Sequence, residues 1–379
     1  MQTEYSGTGS VNAIRKILKK EKPKSVFLVT GKFSYEKTGI RSKIQPLVSH
    51  CKITHFADFS VNPSIGDIKK GIALFRKSKC DFVIAAGGGS VIDIAKAINI
   101  FSPQKLTPEK YLQKKLPIER KGKKLLAIPT TAGTGSEATH FAVVYIGKEK
   151  YSISHQRFLL PEYVILDPAL SFSLPPHITA CTGMDALAQA IESYWSVHST
   201  GESKKYSRKA IRLVLDNLRT AVMSPTQKAR AAMMRAANNS GKAINIAYTT
   251  ACHSISYPLT SYFGVPHGHA VALTLGEMFL FNTAVRKEDC LDARGEKYVS
   301  KTMKELARLF GENSPEGVCE KLKSTMDSIN LERRLVQVGV ITEQDIHIII
   351  KNGFNQDRIK NNPRRLTETS LRQILRNIK

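Results

Sequence analysis

The chain has 379 residues, with 57 Lys and Arg against 32 Asp and Glu and a formal net charge of +25. That length predicts two or three domains with sizeable cores, and such a charge attracts anions: nucleic acid, an anionic membrane or a small acidic substrate. No apolar run approaches the ~18–20 residues that span a bilayer, which argues against a membrane protein.

The N-terminal run lacks an apolar signal core, and the six cysteines form no C-x-x-C pair. Both features predict a reduced, cytoplasmic protein. Basic residues are dispersed through RKILKKEKPK (15–24), the run 109–124 and the last nineteen residues. No helix-turn-helix, zinc-finger or aromatic ribonucleoprotein motif accompanies them. They read as a solvated face, with no nucleic-acid partner.

Along the chain, SVFLVT (25–30) reads as a buried strand ending at Gly31. CDFVIAAGGGS (80–90) is a second strand running into glycines, with helix continuing over VIDIAKAINIF (91–101). KLLAIPTTAGTGSEAT (124–139) is a third strand followed by a small-residue turn, and FAVVYI (141–146) and YVILDP (163–168) add two more. Strands alternating with helices predict an α/β unit with a largely parallel sheet. Beyond LSFSLPPHITA (170–180) apolar residues recur at three and four spacing, as in ESKKYSRKAIRLVLDNLRTAV (202–222), which predicts helices. The Pro175-Pro176 pair divides an α/β dinucleotide-binding domain (1–176) from a helical metal- and substrate-binding domain (177–379).

Three stretches carry chemistry. GGGS (87–90) closes a strand and opens a helix, where backbone N–H groups and the helix N-terminus favour an anion. Glycines there permit close approach of a pyrophosphate, although a triple glycine also occurs in loops without ligands. PTTAGTGSE (129–137) is a second such turn after a strand, and the pair suggests a dinucleotide crevice without the G-x-G-x-x-G fingerprint. The first strand ends in Gly31, Lys32, Phe33 and Ser34 with no acid to hold a ribose 2′-hydroxyl. Gly31 leaves room, and Lys32 or Ser34 can pair with a 2′-phosphate, so the reading leans to NADP(H) over NAD(H). The alternative is a turn in which glycine serves geometry alone.

In GMDALAQAIESYW (183–195), Asp185 and Gln189 stand four apart on a helix and share a face. His253 falls on a further helix and His267 in a Pro-His-Gly turn. Imidazole and carboxylate together suit Fe2+ or Zn2+. A solvated helix face and ordinary buried histidines are the competing reading.

GGGSVIDIAKA, IPTTAGTGSEAT, GMDALAQAIESY, HSISYPLTSYFGVPHG and the closing NNPRRLT together resemble the iron-containing (group III) alcohol dehydrogenases, over nearly the whole chain. The resemblance implies a Rossmann-like α/β domain, a C-terminal helical domain and an active site in the cleft between them. It implies metal ligands at Asp185, Gln189, His253 and His267, with Gln189 departing from the family's usual histidine. It places Gly88, Gly89 and Ser90 on the pyrophosphate, Thr130, Thr131 and Thr134 on the nicotinamide and ribose, and Lys150 on the cofactor. Gly31 stands where NAD-preferring members usually carry Asp. Tyr257 replaces a second histidine and is the candidate proton donor, unless it only packs beside Pro258.

Within the family the runs 182–200 and 241–260 are most similar to members that reduce phosphonoacetaldehyde to 2-hydroxyethylphosphonate. Lys242, His155 and Arg157 are candidate contacts for such an anionic aldehyde, with a surface lysine as the alternative for Lys242. The other readings are a general butanol- or diol-type alcohol dehydrogenase, a dehydroquinate synthase-like lyase and a binding protein without catalysis. A homodimer or larger homo-oligomer is implied by resemblance.

Overall fold

The computed structural model describes residues 2–379 except Phe33, Thr38 and Asn355, and for Lys37, Gln356 and Asp357 it describes the backbone alone. Contacts divide the chain into two units, Met1–Leu174 and Pro175–Lys379.

The first unit holds β1 (Thr3–Ser6), β2 (Ser25–Thr30), β3 (Lys52–Phe56), β4 (Phe82–Gly87), β5 (Lys124–Pro129), β6 (Phe141–Ile146), β7 (Glu149–Ser154) and β8 (Tyr163–Leu166). Six strands form one parallel sheet in the order β1-β8-β5-β4-β2-β3, while β6 and β7 form an antiparallel hairpin. Every residue of β2, β4 and β8 is buried, as a parallel sheet covered on both faces requires.

Alternation along the strands feeds two cores. Val26, Leu28, Phe82, Ile84, Leu126 and Ile128 face α1 (Ala13–Glu21) and α2 (Ile40–Val48). Phe27, Val29, Val83, Ala85, Leu125 and Ala127 face α3 (Ile65–Ser78) and α4 (Gly89–Phe101). The period of two is thus hidden in continuous apolar runs, because both faces are interior.

The second unit comprises α5 (Pro176–Trp195), α6 (Gly201–Met223), α7 (Gln227–Ala247), α8 (Ala251–Phe263), α9 (His267–Thr283), α10 (Glu296–Leu309), α11 (Pro315–Ser328), α12 (Glu343–Gly353) and α13 (Glu368–Asn377). Thr200 and Thr226 cap α6 and α7 by accepting from backbone N–H groups three residues on. Helix α5 is central. From Thr179 to Trp195 only Thr182 escapes burial, and α6, α7 and α9 pack around it. A helix buried all round is normally apolar throughout. This one carries Asp185, Gln189 and Glu192 inside.

Candidate active site

The two small-residue turns stand side by side at the carboxyl ends of β4 and β5. Gly87 is in register with Pro129, and Thr130 N donates to Gly87 O at 3.0 Å. Gly88 caps α4 with no side-chain hydrogen bond, so the first N–H groups of that helix have no side-chain acceptor at the cap. A Cβ on Gly88 would sit 3.3 Å from the Thr131 side chain, and one on Gly89 would sit 2.6 Å from Thr134 Oγ1. The glycines therefore serve close approach between the turns themselves, in addition to any phosphate.

Behind the turns lies a buried ion cluster in the same motif. Lys96 Nζ donates to the carbonyls of Ser136 (2.6 Å), Thr139 (2.7 Å) and Phe141 (3.0 Å). Asp93 accepts from Ser136 Oγ and from Val143 N (3.0 Å). Burial pulls the Lys96 ammonium down to about 8 against the opposing pull of Asp93 and Glu137. Burial likewise raises the Asp93 carboxyl, although Lys96, Ser136 and the charge on Lys150 resist it. Lys150 itself lies on β7, half-buried.

At the end of β2, a Cβ on Gly31 would collide with Ser34 Oγ, so the serine occupies the space a side chain at 31 would fill. Lys32 pairs with Asp58 at 3.5 Å, both exposed. An acid thus stands in reach of this strand end from beyond β3. His155 stacks on Phe158 with ring centroids 4.0 Å apart, and its Nδ1 accepts from Phe158 N at 3.2 Å, a local turn role. Arg157 is exposed beside it.

In the second unit, α5, α8 and α9 bring Asp185, His253 and His267 together, each offering a ligand atom within 4.8 Å of the others. Gly268 makes this possible. A Cβ there would collide with the Cys181 carbonyl and lie 2.8 Å from Asp185 Cβ, so its absence lets α9 press on α5 beside Asp185. His267 opens α9, which corrects the expectation of a plain turn, because Pro266 supplies the N-cap and the chain is helical from His267 onward. Tyr257 lies within α8, followed by Pro258 inside the helix. Its ring centroid is 6.3 Å from that of His267, the two planes inclined by 28°.

His253 Nε2 is 3.4 Å from Asp185 Oδ1, is buried and makes no hydrogen bond. Ser256 Oγ donates to His253 O (2.8 Å) and lies 3.2 Å from His267 Nδ1, from which it can accept. That arrangement leaves His267 Nε2 as the basic nitrogen. Gln189 is buried one turn beyond Asp185, and its Oε1 accepts from Ser240 Oγ at 3.1 Å. Lys242 is half-buried on α7, two residues past Ser240.

Sequence reasoning missed Glu192. The signal was present, since 185, 189 and 192 follow the i, i+4, i+7 pattern of one helix face. Burial alone would lower His253, but Glu192 and Asp185 reverse this and carry its pKa up to about 9. Burial would raise Glu192, but His253, Thr250 and Cys252 hold its carboxyl below the usual range. Asp185 and the two imidazoles form a donor set that a divalent cation fits, with Glu192 behind His253 on Nδ1.

Turns shaped for a dinucleotide and a buried carboxylate–imidazole cluster in one chain define a class: metal-dependent oxidoreductases. Residues 2–168 match the iron-containing alcohol dehydrogenase family, and residues 179–379 match the C-terminal part of the Fe-containing alcohol dehydrogenase family. The chain belongs to that family and is an oxidoreductase of the alcohol–aldehyde couple.

Among its relatives is the phosphonoacetaldehyde reductase of Streptomyces viridochromogenes, 33% identical over 317 residues, covering 79% of this chain and 76% of that one. The NADPH-dependent butanol dehydrogenase of Clostridium saccharobutylicum is 28% identical, covering 98% and 94%. The crystal structure of sulfoacetaldehyde reductase from Bifidobacterium kashiwanohense in complex with NAD+ superimposes with a TM-score of 0.89 at 30% identity, covering 100% of this chain and 96% of that one. No helix among the described residues is long and apolar enough to cross a membrane.

Proposed function

We propose that this enzyme reduces a short anionic aldehyde, phosphonoacetaldehyde, to 2-hydroxyethylphosphonate with a nicotinamide dinucleotide and a divalent ion, Fe2+ or Zn2+. The observation that carries the metal-dependent reading is the convergence of Asp185 and His253, both buried, with the half-buried His267. These three, with Gln189 as a neutral fourth donor oriented by Ser240, would hold the ion. A bound divalent ion at such a site polarises a carbonyl oxygen as a Lewis acid. The dinucleotide carries the hydride, and the protein supplies binding and orientation.

The residues have separate tasks. Gly88, Gly89 and Ser90 at the start of α4 bind pyrophosphate, Thr130, Thr131 and Thr134 line the nicotinamide and ribose, and Lys150 adds a positive charge. Gly31, Lys32 and Ser34 favour NADP(H), Ser34 Oγ filling the space where an acid at 31 would stand. Tyr257 holds the proton on Oη that the product alcohol needs.

The choice of an anionic aldehyde is supported by the phosphonoacetaldehyde reductase relative, by the sulfoacetaldehyde reductase structure and by the net charge of +25. Lys242 is the candidate contact on α7 for the anionic group, with His155 and Arg157 as further candidates. The second reading, a general primary alcohol dehydrogenase, rests on the butanol dehydrogenase relative, which spans nearly the whole chain. A cytoplasmic location accords with six unbridged cysteines. A homo-oligomer accords with the one-sided edge strands β1 and β3.

The test compares kcat/KM for phosphonoacetaldehyde and butyraldehyde with NADPH and NADH on metal-loaded protein. A preference of about tenfold or more for phosphonoacetaldehyde is expected, the scale of one good charge contact. A butyraldehyde advantage sinks the phosphonate reading. No turnover with any aldehyde sinks the enzymatic one.

A further inference from the structure

The reaction as proposed leaves unused a buried acid that touches a candidate metal ligand. Glu192 is fully buried on α5, and among the described residues its ion-pair partner is His253 alone. A carboxylate in that position is costly unless hydrogen bonds occupy its lone pairs. Here they do. Oε1 accepts from Thr250 Oγ1 (2.8 Å), Cys252 N (2.8 Å) and, at longer range, His253 N (3.4 Å). Those amides open α8, where the helix dipole favours a negative charge.

Oε2 meets His253 Nδ1. A carboxylate can only accept, so the proton of that contact belongs to Nδ1. Once the ring gives up its second proton, as a metal ligand must, its lone pair lies on Nε2, the nitrogen that faces Asp185 and makes no hydrogen bond. One acid therefore holds both the backbone at the start of α8 and the imidazole it carries.

The contacts extend further. Trp195, the one tryptophan of the chain, is buried at the end of α5, and its Nε1 donates to Thr250 Oγ1 at 2.9 Å. Trp195, Thr250, Glu192 and His253 thus form a continuous hydrogen-bonded row.

We propose that Glu192 is a positioning residue for the metal: it fixes His253 as the Nδ1–H tautomer with Nε2 turned to the ion, and couples that ligand through Thr250 to Trp195. This rests on the metal-binding reading above. Carboxylate–histidine pairs behind a metal ligand orient the ring and raise its basicity. The competing role is a helix cap alone, in which Glu192 would serve the fold and not the ion.

Zn2+, which has no partly filled shell to quench fluorescence directly, is the probe. In Glu192→Gln the amide cannot accept from His253 and from the amides of α8 together, since one of its two heteroatoms is a donor. The Zn2+ dissociation constant, read by chelator competition, should rise about 10–100-fold. The shift in Tm on adding Zn2+ should shrink, and the change in Trp195 emission expected when Zn2+ is added to the parent protein should be lost.

A cap alone predicts a lower Tm without metal and an unchanged zinc affinity and zinc-induced shift. That result overturns the proposal. If Glu192→Gln does not fold, 15N NMR of histidine-labelled, zinc-loaded parent protein decides. His253, assigned by its absence in His253→Ala, should show a protonated Nδ1 and a metal-shifted Nε2. Zinc on Nδ1 overturns the proposal. His253→Ala also separates the two readings: if it binds Zn2+ like the parent, the metal site itself is wrong, whatever Glu192 does.

Discussion

Two of the buried ionic clusters among the described residues look alike in composition and differ in how their atoms are spent. In the first unit Lys96 directs its ammonium at three carbonyls, and Asp93 closes on a hydroxyl and an amide. In the second unit Glu192 is equally saturated, but the histidine it grips keeps a buried nitrogen with no hydrogen bond. Burial of charge by itself therefore separates nothing. A cluster whose hydrogen bonds are closed is scaffold, and one that turns an open atom toward other donors is built for a ligand.

Removing one member of each cluster should break them in different ways. Asp185→Ala should lower kcat/KM by about a thousandfold, the scale of losing a principal electrostatic group, while thermal unfolding of the metal-free protein changes little. Metal analysis after dialysis should show the ion lost. Retained activity would place the site elsewhere.

Lys96→Met should act on stability first, destabilising by about 3 kcal/mol by leaving buried acceptors without their donor. Metal content should stay at the parent level. The same lysine gives a pH signature. An unfolded lysine keeps its proton to about 10.5, whereas the folded one releases it near 8. Between these values the unfolded chain binds more protons, so the contribution of Lys96 to stability rises with pH. Denaturant unfolding of parent and Lys96→Met should show the gap between them widening from pH 8 to 10. A gap that narrows would count against a depressed ammonium.

The smallest change is at Gln189. An amide oxygen brings no charge and less basicity than imidazole, so Gln189→His should raise metal content after dialysis by a few-fold, about 1 kcal/mol. Unchanged content would remove Gln189 from the ligand set.

Much of this is legible in the sequence, for definable reasons. Strands β2, β4 and β5 announce themselves because both faces are covered, which makes their sequences continuously apolar. Strands β1, β3 and β7 do not. TEYS, KITHF and EKYSIS lie at sheet edges or in the hairpin, with exposed polar positions that break the pattern. Strand order is equally out of reach, since it depends on crossovers and not on local composition. At the site, Asp185, His253 and His267 can be named from residue type and motif. Helical spacing puts Glu192 on the face of Asp185 but gives it no role, because its partner lies 61 residues away.

Gly268 has a consequence for how this family member can change. At the cofactor turns a side chain added at Gly31 or Gly89 would meet the side chains of Ser34 or Thr134, which a second substitution can remove, whereas at 268 it would meet the backbone of Cys181. Position 268 offers no such path. Even one methyl group there wedges α9 away from Cys181 and Asp185. A lineage that loses that glycine must rebuild the meeting of two helices before it can bind a metal again.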